Sequence, residues 1–515
     1  MKRIILFIAL FLLFSNLGAQ PIIQWQHSMG GTLSDELLSI SQTNDGGYIA
    51  IGSAGSADGN VFGNHGADDI WIIKFTTTGA TQWSKCIGGM SSDQATSIRQ
   101  TPDGGFIFSG ISYSYTDDFL QTYGLGDCWV VKLDTAGSIE WKQHFGGSGL
   151  ERGSKAIPTA DGGYLVFCET QSNDIDAWQN PYADATWIIK LSSIGQMEWQ
   201  RFYGACKFAS DITATSDGCY VIVGTNCDLI DNRGLEDFWV SKIDSGGSVM
   251  WEKSFGGTNV DVARVVHETV DRGLLVGGYT RSNDGDVTGN HGWDDSWVIK
   301  LNSAGSLRWQ KTYGGTLIEN IESLDITSDD GFIVAGSGTS SDGDVTGGHG
   351  AAGDFWIVKA DSNGTLLWEN CYGGSNSEIA YAIDQSSDGG FIVAGVSTSN
   401  DGDVSGNHNS QDGWVCKLSY YTSVNAIQKS DDIQLFPLPA NNILNLTYDP
   451  AKTGIIKSAN LYNILSHVVI QNLFPIINST LNSFQFSVAE LPSGNYTLFL
   501  ETAYGNYNRK VIIIK

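Results

Sequence analysis

Positive charge is scarce in this sequence. Lys and Arg number 29 against 56 Asp and Glu, a formal net charge of −27. That balance repels nucleic acid and anionic membrane surfaces, so neither is an expected partner. Long apolar runs are missing after the first residues. The opening MKRIILFIALFLLFSNLGAQ pairs two cations with an apolar run of about eleven residues and a small-residue end, a secretory signal peptide rather than a membrane span. A signal peptide over 1–19 leaves Gln20 as the expected mature N-terminus, and no other stretch reads as a transmembrane segment. Cysteine is sparse: eight residues at irregular spacing (86, 128, 168, 206, 219, 227, 371, 416) include no CxxC pair. Their pattern argues against zinc and thioredoxin-like sites and leaves disulfides as an addition in an oxidising compartment. Helical periodicity is absent from the repeats, and so are a GxSxG elbow, HExxH and a phosphate-binding glycine loop with its Lys. No catalytic residue is therefore assigned, since a glycosidase pair cannot be picked from 56 acids by abundance.

Glycine and tryptophan, in contrast, are plentiful and periodic. Trp25, Trp83, Trp141, Trp199, Trp251, Trp309 and Trp368 form one series, and Trp71, Trp129, Trp187, Trp239, Trp297, Trp356 and Trp414 another. Spacing within each is 58 or 59 residues, except for one step of 52 around the fourth repeat. Each unit holds four short β-like segments. In the second they are QATSIRQT (94–101), GGFIFSGIS (104–112), CWVVKLD (128–134) and SIEWKQHF (138–145). A recurring DGG supplies the hairpin turn between the first two. Four antiparallel strands repeated seven times predict an all-β, seven-bladed β-propeller over 20–420, in repeats of about 58 residues. The chain starts with a lone fourth strand, IIQWQHS (22–28), and its last repeat stops after a third, WVCKL (414–418). The N-terminal strand is thus expected to complete the last blade and close the ring, which also removes exposed sheet edges. The recurring DxWxxK, whose Trp and Lys appear in all seven repeats, is read as blade packing.

Strand direction puts the long loops between strands two and three on one rim with the interblade links. The short DGG and SAG turns take the other. SNDGDVTGNHG (282–292) and its relatives offer carboxylate pairs around a Gly: Asp284 and Asp286, Asp342 and Asp344, Asp401 and Asp403. Hard oxygen ligands of this kind are candidates for calcium, the one cofactor considered. The competing reading is an Asp-Gly turn that binds its own backbone. His65, His291, His349 and His408 end these loops and are read as anchors rather than a zinc site. A further series, Asp35, Asp93, Glu151, Asp261, Glu319 and Glu378, begins the innermost strands. It is expected to form an incomplete carboxylate ring near the channel mouth, either holding a cation or polar ligand or else paired with a neighbouring blade's Lys or solvated at the rim. The short fourth repeat holds three of the eight cysteines, and strand direction places Cys206 and Cys227 at one rim, a candidate disulfide.

Two resemblances add to this. KLDTAGSIEWKQHFGG (132–147) resembles the tryptophan-docking repeat of pyrroloquinoline quinone propellers, but eight blades and adjacent cysteines are both missing, so the likeness extends to fold only. After a linker (421–430), the tail carries DDIQLFPLPANNILNLTY (431–448), LYNILSHVVI (461–470) and FSVAELPSGNYTLFLETAYGNYNRKVIIIK (486–515). Residues 431–515 resemble the type A C-terminal sorting domain of type IX secretion substrates, with Leu438 and Ser466 where that family usually has Asn and often Gly. The resemblance implies a small β-sandwich recognised by the type IX machinery, and release or attachment at the outer cell surface. The repeats are similar to the DGG-type propellers such cargo carries. The expected role is a binding, adhesion or interaction module for extracellular polysaccharide or a surface protein. The alternatives are a carbohydrate-active glycosidase or lyase with channel carboxylates, or a quinone oxidoreductase.

Overall fold

The computed structural model describes residues 20–420 apart from 120–121, 183, 205–206, 228–232 and 351, and in the tail 433–436, 440, 443–448, 456–463, 468–470, 483–489, 491–492, 494–502 and 506–513. The expected signal peptide (1–19) and linker (421–430) lie outside the described residues. The chain divides into two units between Ser419 and Tyr420.

The first unit is a seven-bladed β-propeller. Six blades are four-stranded antiparallel sheets of consecutive strands. In the second blade Asp93–Gln100 pairs with Phe106–Ser112, then Asp127–Leu133, then Ile139–Phe145. The seventh is assembled from both ends of the unit, with Ile22–Met29 pairing Asp412–Ser419 beside Phe391–Ser397 and Glu378–Gln385. Each first strand carries a bulge at the same place, between Leu37 and Ser39 in the first blade and Ala95 and Ser97 in the second. This re-aims its side chains toward the channel. Middle strands such as Tyr48–Ala54 and Asp69–Phe75 are buried at every residue, because neighbouring blades cover both of their faces.

The two tryptophan series have different tasks. Trp71, Trp187, Trp239, Trp297, Trp356 and Trp414 are fully buried within blades. Several donate their indole N–H to the fourth strand, as Trp297 does to Gln310 at 2.8 Å and Trp414 to Gln26 at 2.9 Å. Fourth-strand tryptophans instead lie on the next blade. Trp25 meets Tyr48 edge-on at 5.9 Å, and its ring covers Gly79 of the first blade's SAG-type turn. DxWxxK lysines reach the DGG aspartates: Lys74 to Asp45 at 3.0 Å, Lys359 to Asp329 at 3.0 Å and Lys417 to Asp388 at 2.9 Å. Each buried ammonium also donates to the next backbone carbonyl, as Lys74 does to Phe75, so its charge and donors are partly satisfied. One spacing, repeated from blade to blade, thus staples the hairpin turn across its own blade.

The second unit is a small β-sandwich. One sheet orders Ile433–Phe436, Ile443–Tyr448 and Ser483–Ser487. The other orders Val468–Ile470, Ile456–Asn463, Gly494–Thr502 and Asn506–Ile513. Leu444 and Leu446 pack with Leu461, Leu498, Leu500 and Val511 between the sheets.

Turn glycines differ in what they tolerate. Gly305 sits at φ +75°, and a β-carbon there would stand 2.9 Å from the Trp251 ring of the preceding blade. Gly162 sits at φ +83° with open space around it. Gly305→Ala is expected to cost ~2–4 kcal/mol and Gly162→Ala only ~1–2 kcal/mol, the backbone penalty alone. Denaturant unfolding of the two variants checks the difference.

Candidate functional site

The rim that joins strands two and three to the interblade links is held by carboxylates. Asp284 accepts from the Thr258 N–H at 2.8 Å and from its hydroxyl at 3.0 Å, while Asp286 faces the Gly256 N–H at 3.4 Å. Asp342 and Asp344 take Thr316 and Gly314 in the same way. Asp401 takes the Ser375 N–H at 2.7 Å, and Asp403 faces the Gly373 N–H at 3.3 Å. Asp58 and Asn60 repeat the arrangement at Thr32 and Gly30. The six calcium candidates therefore clasp the Gly-Gly link that leads out of the preceding blade. The structure brings them to separate blade junctions, and among the described residues no three His, Cys, Asp or Glu side chains form a metal-holding group.

Asp35, Asp93, Glu151, Asp261, Glu319 and Glu378 do begin the innermost strands, but they face neither ligand nor solvent. All six are fully buried, and none lines the channel cavity. This corrects the expected ring at the channel mouth. Each takes the N–H of the second glycine of the link, as Asp35 does from Gly31 at 2.8 Å and Glu378 from Gly374 at 2.8 Å. Each also receives donors from the end of strand two, such as Ser56 on Asp35 and Ser340 on Glu319. The link's N–H groups have no strand partner, and a buried amide needs one.

A second buried acid stands beside each of these. Asp69, Asp127, Asp237, Asp295, Asp354 and Asp412 open the third strands and are almost completely buried. Where a histidine ends the loop, its ring and backbone bind the second oxygen, as His291 Nδ1 does on Asp295 at 2.7 Å and His408 Nδ1 on Asp412 at 2.7 Å. The loop-anchor role of these histidines is thus visible in the geometry. The remaining Oδ1 of all six aspartates is buried without a hydrogen-bond partner among the described residues. At the closing junction, a β-carbon on Gly30 would stand 2.5 Å from Asp412 Oδ1 and 2.7 Å from Asp35 Oδ2, so only glycine fits between the two acids. Burial, reinforced by the neighbouring Glu151, pushes Asp127 up to about 6. Burial and the nearby Asp261 do the same to Asp237.

The innermost strands enclose a channel cavity of about 1010 Å³. Its charged residues vary from blade to blade. Lys155 pairs with Asp211, near Arg99 and His267. Burial pushes the His267 imidazole down to about 4. Asp325 and Asp384 are hydrogen-bonded to each other, and burial together with Asp384 pushes the Asp325 carboxyl well up. These acids also cap the free inner edge of the next blade: Asp211 accepts from Val266 N–H at 3.0 Å, Asp325 from Gln385 at 2.8 Å and Asp384 from Gln42 at 2.8 Å. No sequence motif singles them out. The available signal was position: residues identical in every repeat build the scaffold, and those that vary at the same place face the channel.

The third-to-fourth junction departs from the rest. Ala185 stands where other blades have the strand-three aspartate, and Lys207 where they have the strand-one acid. Both members of the acid pair are lost together. Cys227 is disulfide-bonded, whereas Cys86, Cys128, Cys168, Cys219, Cys371 and Cys416 are free. Cys206, its expected partner, lies outside the described residues.

Comparison with known proteins identifies the tail. Residues 434–514 match the family of secretion system C-terminal sorting domains, so the chain is cargo of the type IX system, secreted or displayed at the cell surface. Among the described residues no helix is long and apolar enough to cross a membrane. No curated protein matches the chain. Similar solved structures include a protein of unknown function from Bacteroides caccae (14% identity, TM-score 0.36, covering 60% of this chain and 92% of that one). Sqt1 from Chaetomium thermophilum matches at 12% identity and TM-score 0.40, over 76% and 87% of the two chains. The Neurospora crassa Pan2 WD40 domain matches at 11% and 0.43, over 80% and 98%.

The acids set opposing pH limits. A carboxyl raised to about 6, as at Asp127 and Asp237, favours the folded state when protonated, so stability falls as pH rises from the unfolded value toward 6. Asp161 and Asp271, held near about 2 by threonine and lysine donors, contribute above the unfolded value and lose that contribution as pH falls toward 2. The melting temperature is therefore expected to peak at about pH 4, to decline as pH rises to about 6 and to level off above it, with a shallower decline in Asp127→Asn. Thermal melts across that range check this. Because the DGD oxygens already accept backbone N–H groups, EDTA against added calcium is expected to leave the melting temperature unchanged.

Proposed function

We propose that this type IX cargo is a non-catalytic recognition module that binds extracellular polysaccharide through the long-loop rim of its propeller. One observation carries the reading. Among the described residues, the most exposed aromatics of the propeller all lie in strand two-to-three loops, on four blades of the same rim: Phe62 (70% exposed), Tyr115 (71%), Trp178 (58%) and Trp293 (69%). The periodic tryptophans are spent on packing, so these extra rings have no scaffold task. Solvent-exposed aromatic surface on one face of a protein marks an interaction site. Flat rings with an apolar face and, in Trp and Tyr, a polar edge suit the C–H faces and hydroxyls of sugars. The chain as a whole is acidic, with a formal net charge of −27, which disfavours polyanionic partners.

The enzymatic alternative has one observation in its favour, the Asp325–Asp384 pair in the channel with a raised carboxyl. Carboxyls in hydrogen-bond contact are closer than the ~5 Å of a retaining glycosidase pair or the ~6.5–9.5 Å of an inverting pair. Their bonds to the backbone of the following blades give them a fastening role instead.

A polysaccharide array probed with the mature protein, followed by product analysis of every hit, tests the proposal. Binding without cleavage is expected, weakened ~10-fold or more when Trp178 and Trp293 are both replaced by Ala. Chain cleavage would replace the recognition module with an enzyme. Silence across the array would transfer the rim to a protein partner.

A further inference from the structure

Building on the reading of the rim as a saccharide-binding face, we propose that the irregular third-to-fourth junction is its specific subsite, a pocket for a neutral sugar residue. A cavity of about 350 Å³ lies there, lined by Arg152, Glu169, Gln171, Asp184 and Phe208 among others. At the other junctions this level is filled by an acid pair around a link glycine. Here Ala185 and Lys207 replace both acids. The Lys207 ammonium turns away to Glu252 at 2.6 Å and lies over the Trp239 ring at 6.0 Å. Thr186 ties onto the first strand of the fourth blade, donating to the Lys207 carbonyl at 2.9 Å and accepting from the Ala209 N–H at 3.1 Å. The junction is thus closed by smaller groups, and the space left over is the pocket.

Its chemistry is that of a sugar site. Phe208 is 43% exposed and offers an apolar ring as one wall. Arg152 and Glu169 are directly opposite each other on paired strands of the third blade. They interact electrostatically, and the Glu169 carboxyl has no hydrogen-bond partner among the described residues. Burial pushes Glu169 up, with Arg152 pulling it down and Asp184 adding to the rise. An arginine fork, the Glu169 carboxyl and the amide of Gln171 supply donors and acceptors for vicinal hydroxyls. A concave pocket with an apolar wall and a few convergent polar groups is the usual form of a small-ligand site. Its volume suits one or two pyranose rings. Two acids against one arginine disfavour a uronate or sulfated sugar. Glu169 and Phe208 also line the channel cavity, so a chain seated here has room to continue inward.

Isothermal titration of the mature protein with defined neutral oligosaccharides (gluco-, xylo-, manno- and galacto-series) and with oligouronates tests this. The expected result is binding to a neutral series, weakened ~10-fold or more in Phe208→Ala and in Arg152→Gln. Val270→Ala, in a strand one-to-two turn on the opposite rim, is expected to change the affinity of a short ligand by less than ~2-fold. Melting temperatures of the variants report folding separately. Retained affinity in folded Phe208→Ala with loss in Trp293→Ala would overturn the pocket and leave the rim as the binding face. Preference for oligouronates would overturn the neutral class. Absence of binding to every saccharide would overturn the pocket and the saccharide reading together.

Discussion

At six of the seven blade junctions a buried carboxylate takes the unpaired N–H of the Gly-Gly link that carries the chain from one blade to the next. The link cannot be part of a sheet, because it must cross between sheets, and it cannot be left dry and unpaired, because a buried amide without a partner costs stability. Everything else at that rim is arranged around this need. The glycines let a second acid approach from the preceding blade, and the DGD turn closes over the outside. Strand-two hydroxyls hold the inner acid from within.

This solution has an electrostatic consequence. Acids crowd into the places where blades meet, while the third-strand lysines of the repeat lie toward the opposite rim, where they staple the DGG-type turns. The protein is acidic overall, yet its buried acids and its surface acids answer to different constraints. Mild acid relieves the former, and stronger acid breaks the lysine staples. A scaffold so heavily committed to junctions leaves function to whatever the repeats do not share: the loop aromatics, the channel charges and the one junction where the acid pair is missing.

Propeller closure, blade number and the export tail were all legible before any coordinates. Trp spacing counted the blades, the lone IIQWQHS strand closed the ring, and LPSGNY before a basic final strand marked the sorting domain. The roles of Asp35 and its relatives were misread because a strand's first residue looks exposed when the link before it is unseen. The DGD pairs left two readings open, and the carboxylates alone could not show that Thr258 or Gly314 would present an N–H to them. Asp325 and Asp384, 59 residues apart in sequence, could not be paired because channel geometry depends on where the bulge turns each first strand.

What the sequence by itself determined is therefore the periodic part, since a pattern repeated seven times forces the same packing at every interface and leaves closure as the economical way to bury it. Only the tertiary structure decided which acids face water, which face each other and which face a cavity. Those outcomes depend on contacts between blades, and a one-residue shift in depth separates a solvated carboxylate from a buried one. The fourth repeat shows the division plainly. Its shorter length was readable as an irregularity, but that the irregularity opens a pocket beside Phe208 follows from what the neighbouring blades fail to fill.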